Sequence, residues 1–308
     1  MTVESFLNEL LESQNLTPEQ EHALEDHKRE VTEFLREEFG AAPVIKYAGS
    51  REKGTMIRDR YDLDIVCYFP SHDPRTLKEI RRDVSAHLQK KYAIEPRASA
   101  ERIENIRGTT APYGYHIDVV PGRFIEGTKD VFLHVAYGEK ERIQTNLKVH
   151  IDYIVTSGCV PPIRLAKLWA HRNSVAIKTF ILELFVVRAL SGSRNKGNLK
   201  EAFRELLEAF KDEFGGLELV DPANSNNVVS RSLSSSEKTM VANAAKTAWD
   251  RAADSDDISV WKEVFRDNDQ GGLNISMDSP PAPAIVRSPS QGFTPRSPWG
   301  NRYVDGTK

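Results

Sequence analysis

The sequence lacks several features that would assign it to a protein class at once. Its 308 residues contain two cysteines, Cys67 and Cys159. Two isolated cysteines make neither a disulfide scaffold nor a zinc framework. We find no signal peptide and no apolar run long enough to span a bilayer. We therefore expect a cytoplasmic protein.

A strong charge of either sign is also missing. Lys and Arg total 42 against 45 for Asp and Glu, which gives a formal charge of −3. This balance offers no global electrostatic reason to bind DNA, RNA or a membrane. We expect no DNA and no membrane partner, and we leave RNA open because a local basic groove would not change the net charge much.

The informative stretch lies between Tyr47 and Phe69. Gly49-Ser50 follows a short apolar run, and Asp62-Leu63-Asp64 begins a second apolar run that predicts a strand. Side chains alternate along a strand, so Asp62 and Asp64 share a face. Adjacent carboxylates repel unless a cation offsets them, and Mg²⁺ prefers such oxygen ligands. A Gly-Ser turn can bind phosphate through its backbone N–H groups and hydroxyl. The stretch predicts metal-assisted phosphoryl or nucleotidyl transfer.

Two aspartates alone are weak evidence, because such a pair is common at solvated strand edges. A third strand carboxylate, Asp118, lies downstream in HIDVVPG, flanked by apolar residues. Two carboxylates from one strand and a third from a neighbour would form a clamp for two ions about 3.5–4 Å apart. We predict that Asp62, Asp64 and Asp118 are catalytic and bind two Mg²⁺ ions, for which Mn²⁺ can substitute.

Hydrophobic periodicity divides the chain into three parts. Residues 1–145 alternate between helix and strand patterns, which predicts a catalytic core built on a mixed sheet. Residues 146–275 predict a helical lobe, against which the N-terminal helix of the first part packs. Residues 276–308 are rich in Ser and Pro, which indicates a disordered or extended tail. The predicted fold class is α+β.

As a set, the motifs resemble the polymerase-β-like nucleotidyltransferases. More narrowly, the chain is similar to the cGAS/DncV-like family of bacterial anti-phage systems, which is related to the oligoadenylate synthetases. The matching segments are Gly49-Ser50, KGT at 53–55, DLD at 62–64, HIDVVPG around Asp118, TN at 145–146, HI at 150–151, RLAKLWAHRN at 164–173, KTFILEL at 178–184 and DPANSNNV at 221–228. They cover roughly residues 5–255. The resemblance implies two lobes with the active site in the cleft between them.

The resemblance also implies roles for the residues near the metal ions. Asp62 and Asp64 would hold both ions. Asp118 would complete one metal site and help to deprotonate the attacking ribose hydroxyl. Ser50, with the backbone of Gly49, would bind the β- and γ-phosphates of the donor nucleotide.

Three residues of the second half would complete the nucleotide site by the same resemblance. Lys167 would reach the triphosphate, Thr179 would lie near the γ-phosphate, and Phe180 would stack on the base where the family usually has tyrosine. Each has a simpler interpretation from the residues alone: a solvated lysine, a helix N-cap and a core phenylalanine. His116 and His150 show no metal-binding spacing, so we expect polar packing of both.

The implied activity is attack of a 2′- or 3′-hydroxyl on the α-phosphate of an NTP, with release of pyrophosphate. Repetition and closure would give a cyclic di- or trinucleotide second messenger of anti-phage (CBASS) defence. ATP would be among the substrates, and regulators or ubiquitin-transfer-like conjugating enzymes from the same operon would be partners. Two alternatives stay open: nucleotide addition to RNA or a small acceptor, and a nucleotide-binding pseudoenzyme. The sequence does not specify the bases, the linkage or the ring size.

Overall fold

The computed structural model describes residues 1–104, 115–137 and 140–267. Its helices are α1 Val3–Glu12, α2 Pro18–Phe39, α3 Gly49–Lys53, α4 Leu77–Leu88, α5 Leu147–Val155, α6 Val160–Arg172, α7 Thr179–Ala189, α8 Leu199–Glu213, α9 Ser235–Ala252 and α10 Ile258–Val264. Its strands are β1 Val44–Tyr47, β2 Leu63–Phe69, β3 Ile94–Pro96, β4 Glu101–Ile103, β5 Ile117–Phe124, β6 Val131–His134, β7 Arg142–Thr145, β8 Val220–Asp221 and β9 Asn224–Val228. Two short 3₁₀ helices span Phe214–Gly216 and Val229–Ser232.

Helix α2 begins where local sequence signals place its start. The Thr17 hydroxyl accepts a hydrogen bond from the Gln20 N–H at 3.3 Å, and the Gln20 side chain accepts one from the Thr17 N–H at 3.0 Å. Pro18 occupies the first helical position, where its missing N–H leaves no partner unsatisfied. The helix stops at Gly40, whose φ of +59° suits glycine. The residues TPEQ at 17–20 and the glycine at 40 are local signals that predict this capping box and stop from the sequence.

The main sheet is mixed. Strands β1, β2, β5, β4 and β3 lie side by side in that order, and β6 pairs with β5 and with β7. The β2–β5 pair is parallel, whereas the other recorded pairs are antiparallel. Because β2 and β5 run the same way, Leu63 and Asp64 lie opposite Ile117 and Asp118 respectively. The α+β prediction is confirmed by this architecture.

Two large hydrophobic clusters support the fold. One packs α2 and α4 against the sheet through buried side chains such as Leu35, Ile65 and Val84. The other joins α1 to the helices after residue 150, around Trp169 and Phe203. The N-terminal helix thus packs with helices from the second half, and the Glu4 carboxylate accepts hydrogen bonds from two backbone N–H groups at the start of α8.

Several local predictions need correction. The apolar pattern over 131–137 predicts a strand, but β6 ends at His134. The polar segment DPANSNNVV at 221–229 predicts a loop, but it contains the last residue of β8 and all of β9. The patterns over 103–107 and 113–120 predict paired strands, but β4 spans Glu101–Ile103 and β5 spans Ile117–Phe124, and residues 105–114 lie outside the described residues. The tail at 276–308 lies outside them too, and the division at residue 145 stays a prediction. Within the described ranges, no helix is both long and apolar enough to cross a membrane.

Candidate active site

The backbone of Gly49 lies directly against the side chain of Asp64. Gly49 has φ +60°, and a Cβ atom built on it would lie 1.6 Å from Asp64 Oδ2. The preceding Ala48 N–H donates to the Asp64 carbonyl oxygen at 2.9 Å, which ties the end of β1 to β2. The positive φ and the lack of space for a Cβ atom therefore both favour glycine at position 49. Ser50 follows as a buried residue of the short helix α3.

The parallel β2–β5 pair brings the predicted aspartates together. Asp64 and Asp118 are opposite each other in the strand register. Asp62 directly precedes β2, and its side chain is 42% exposed against 16% for Asp118. On the opposite face, Leu63 and Ile65 are fully buried, as the alternation predicted. One strand end therefore carries carboxylates on one face and core side chains on the other.

The two β2 aspartates differ in their tendency to ionise. Burial raises the pKa of Asp64 to about 7, and the charges of Asp62 and Asp118 add to the shift. Burial also opposes ionisation of Asp62, but a hydrogen bond and the charge of His116, with Lys167 and Arg60, hold its pKa below the usual range. Mutual repulsion of this kind is what a bound cation would relieve.

Two basic side chains engage the carboxylates. Arg102 lies opposite Asp118 on β4, and its Nε and Nη2 donate to the two Asp118 oxygens at 2.8 Å each. His116 Nε2 lies 3.4 Å from Asp62 Oδ2 and 3.6 Å from Asp118 Oδ2. Among the described residues, no three His, Cys, Asp or Glu side chains are arranged as they stand to hold a metal ion. A metal ion at this site would have to share Asp118 with Arg102.

A cavity of about 340 Å³ opens beside the aspartates. Its wall contains most of the predicted site residues, together with apolar side chains from α5, α6 and α7. The predicted residues in the wall are Gly49, Ser50, Asp62, Asp64, Lys167, Thr179 and Phe180. The structure therefore brings the two halves of the predicted site to one cavity, with Asp118 adjacent through its pairing with Asp64.

The structure tests the simpler interpretations of Lys167, Thr179 and Phe180, with a different outcome for each. The solvated-lysine interpretation of Lys167 is wrong, because its side chain is only 11% exposed. Thr179 is the first residue of α7, and the N-cap position belongs to Lys178. Phe180 packs against the helical cluster and also lines the cavity, so packing and base stacking are compatible there.

A charged group whose partners could not be predicted from the sequence lies behind two lysines of the cavity wall, Lys53 and Lys167. Glu183 is completely buried on α7, bonded to Lys53 and to the Thr55 hydroxyl, with Lys167 beside it. A sequence signal existed, because Glu183 is the one charged residue in the apolar run TFILELFVV, and a buried glutamate needs partners. The matching lysines could not be chosen from spacing alone.

The partner of His150, whose ring lies beside Phe180, also could not be predicted from the sequence. His150 Nε2 lies 2.6 Å from Asp221 Oδ1, and the imidazole centroid is 4.8 Å from that of Phe180. Asp221 also accepts hydrogen bonds from the Ala223 N–H and the Asn227 amide. The hairpin β8–β9 thus fixes His150 at the cavity wall, in agreement with the polar packing expected of it.

Comparison with known proteins agrees with this geometry. Residues 28–156, which contain α3, β2 and β5, match the family model described as the nucleotidyltransferase domain. The cyclic AMP-AMP-AMP synthase of Escherichia coli (strain MS 115-1) is 25% identical, over 73% of this chain and 82% of that protein. Residues 28–156 therefore form a nucleotidyltransferase domain, and the chain as a whole is similar to a cyclic oligonucleotide synthase.

Solved structures of cGAS/DncV-like nucleotidyltransferases share the fold. The E. coli MS115-1 CdnC structure with ATP has a TM-score of 0.63 and 20% identity, over 85% of this chain and 96% of that one. The Vibrio cholerae DncV cyclic AMP-GMP synthase has a TM-score of 0.60 and 16% identity, over 85% and 84% of the two chains. The predicted family and enzyme class are confirmed, whereas the roles of single residues stay predictions.

Proposed function

We propose that this enzyme joins NTPs into a cyclic oligonucleotide second messenger, with release of one pyrophosphate for each bond formed. The observation that carries the proposal is the parallel register of β2 and β5. It places Asp64 opposite Asp118 and beside a cavity whose wall includes Ser50 and Lys167. Carboxylates next to phosphate-binding groups are the arrangement that nucleotidyl transfer needs.

The residues fit a site for Mg²⁺, or for Mn²⁺ in its place. Carboxylate oxygens are the ligands these ions prefer, and burial, with the charges of Asp62 and Asp118, raises the pKa of Asp64, which a nearby cation would oppose. Asp62, Asp64 and Asp118 would hold two ions. When bound, the ions would polarise the α-phosphate and neutralise the charge that develops on it.

The protein groups would then bind and orient the substrates. Asp118 would accept the proton of the attacking ribose hydroxyl, whose oxygen forms the new bond to the α-phosphorus as pyrophosphate leaves. Ser50, with the Gly49 backbone, would hold the β- and γ-phosphates. Lys167 would contribute a cation to the triphosphate, and Thr179 would lie near the γ-phosphate.

Phe180 is the residue we propose to stack on the donor base. Its ring lines the cavity and is fixed by His150 on one side. Stacking on a phenylalanine requires no hydroxyl, so a tyrosine at this position is dispensable for the contact itself.

ATP is the first substrate to test. The relative with 25% identity is a cyclic AMP-AMP-AMP synthase, and the solved CdnC structure contains ATP. The E. coli MS115-1 CdnC was also solved as a complex with a HORMA protein. By analogy we propose a role in anti-phage defence in the bacterial cytoplasm, with a regulatory protein as partner.

The test is an incubation of purified protein with four labelled NTPs and Mg²⁺, followed by phosphatase and chromatography. Asp62→Ala/Asp64→Ala is the control. A phosphatase-resistant product that requires both aspartates would support the proposal, and omission of single NTPs would identify the bases. Label that appears only on added RNA would favour a terminal nucleotide-adding enzyme instead.

A further inference from the structure

Glu183 is paired with groups from two distant segments of the chain. Its Oε1 accepts a hydrogen bond from the Thr55 hydroxyl at 2.6 Å and lies 3.6 Å from Lys167 Nζ. Its Oε2 accepts a hydrogen bond from Lys53 Nζ. Lys53 ends α3, Thr55 follows it, and Lys167 comes from α6, so this carboxylate joins the catalytic core to two helices of the second half.

The cluster is almost sealed from bulk water. The exposed fractions of the side chains are 0% for Glu183, 9% for Lys53 and 11% for Lys167. A buried carboxylate is strongly unfavourable without partners, and here burial is outweighed by Lys53 and Lys167, so the pKa of Glu183 lies below its usual range. Two lysines facing one carboxylate leave one positive charge that Glu183 does not neutralise.

That positive charge borders the cavity. Lys53 and Lys167 both lie in its wall, beside Ser50 and Thr179, and Lys53 Nζ is 5.6 Å from the centroid of the Phe180 ring. The Phe180 ring and the two lysines therefore form one surface. A nucleotide stacked on Phe180 would direct its phosphates at lysines that already have a common counter-ion.

We propose that Lys53 is a second triphosphate-binding cation, and that Glu183 is the positioning residue that fixes Lys53 and Lys167 at the cavity wall. This inference rests on the proposed function, because it assumes an NTP in the cavity. It goes beyond Lys167 by naming the partner cation and the buried group that orients both lysines.

The test compares ligands that differ in phosphate number. ATP, ADP and AMP are titrated calorimetrically into the full chain and into Lys53→Met. A charge-assisted hydrogen bond to phosphate predicts a fall in ATP affinity of about 10- to 100-fold in Lys53→Met, with AMP affinity unchanged. Lys148→Met is the matched control, because Lys148 pairs with Asp152 on an exposed face of α5, and it should bind all three nucleotides as the wild type does.

Glu183→Gln tests the positioning role. It keeps the shape and an acceptor for Thr55 but removes the charge, so the two lysines repel and move apart. We expect weaker ATP binding with unchanged AMP binding. Equal weakening of all three nucleotides would indicate a merely structural ion pair and would overturn the positioning role, as would ATP binding at wild-type strength.

The outcomes separate this inference from the proposed function. Wild-type protein that bound none of the nucleotides would overturn the proposed function and this inference with it. If the wild-type protein binds ATP tightest of the three and Lys53→Met shows the same ratio of ATP affinity to AMP affinity, this inference alone is overturned. If Lys53→Met does not fold by circular dichroism, Lys53→Met/Glu183→Gln replaces it, because that variant removes the buried charge of Glu183 together with its hydrogen-bonded lysine.

Discussion

At the scale of single residues, Gly49 has less room for a side chain than the other glycines that the structure describes. Any side chain there meets the Asp64 carboxylate, since a Cβ atom would lie 1.6 Å from Oδ2. We predict that Gly49→Ala displaces Asp64 and lowers nucleotidyl transfer by about 10³-fold, the loss of several kcal/mol of transition-state stabilisation. Initial rates with labelled NTPs measure the effect.

Gly127→Ala is the control for Gly49→Ala. Gly127 has a similar φ of +72°, but nothing lies within 4 Å of a Cβ atom built on it. The control therefore introduces the same backbone strain without the collision. If both variants lost activity equally, the contact between Gly49 and Asp64 would not be the reason.

The raised pKa of Asp64 predicts how the metal-free protein responds to pH. Because its pKa rises from 3.8 unfolded to about 7 folded, the protonated form stabilises the fold, and this contribution is lost as pH rises through 7. In EDTA we expect Asp64→Asn to melt at a higher temperature than wild type at pH 8, and the difference to shrink toward pH 4. Saturating Mg²⁺ should reverse the order, since only the carboxylate gains from the ion.

The control for this comparison is Asp152→Asn, which removes an exposed carboxylate that is 51% accessible. It should show no comparable pH-dependent gain. An Asp64→Asn variant that is less stable than wild type in EDTA at pH 8 would mean that Asp64 is well compensated without metal.

At the scale of secondary-structure elements, the capping box of α2 gives a prediction that does not involve the cavity. Thr17→Ala removes the side-chain acceptor for the Gln20 N–H, which should lower the free energy of unfolding by about 1 kcal/mol. Urea denaturation measures this change, and nucleotidyl transfer should stay at the wild-type rate. A loss of several kcal/mol would show that Thr17 does more than cap the helix.

Local signals explain which elements could be predicted from the sequence. The cap of α2, the alternation along β2 and the apolar run of α7 each depend on neighbouring residues, so the pattern identifies them. The short strands β7, β8 and β9 depend on partners distant in the chain, and their polar sequences gave no strand signal. Within the site, Asp62 and Asp64 could also be predicted from a local signal, because the pattern of one strand places both.

The contacts of the site residues could not be predicted in the same way. Arg102 reaches Asp118 only because β4 and β5 pair in one particular register, and Glu183 reaches Lys53 across 130 positions of the chain. Such pairings are set by the tertiary fold. The resemblance to a family supplied roles for Lys167 and Phe180, but it did not supply their neighbours.

At the scale of the whole molecule, α6 fixes the position of the lysine side of the site relative to the aspartate side. Arg164 Nε donates to the Met56 carbonyl oxygen at 3.0 Å, and Arg172 Nε donates to Asp59 Oδ2 at 2.9 Å. These bonds anchor the segment that leads into β2 to the helix that carries Lys167. The carboxylates and the phosphate-binding lysine are thereby fixed relative to each other, as transfer between two bound nucleotides requires.

The central claim is that the enzyme joins nucleotides into a cyclic product. The accurate mass of the product tests this claim most directly. Wild-type protein is incubated with ATP alone and then with all four NTPs, and each product is analysed before and after phosphatase. We predict a mass equal to a whole number of nucleoside monophosphate residues linked without a free phosphate end, unchanged by phosphatase and absent with Asp62→Ala/Asp64→Ala. A linear product that keeps its 5′-triphosphate and loses mass on phosphatase treatment would contradict the claim.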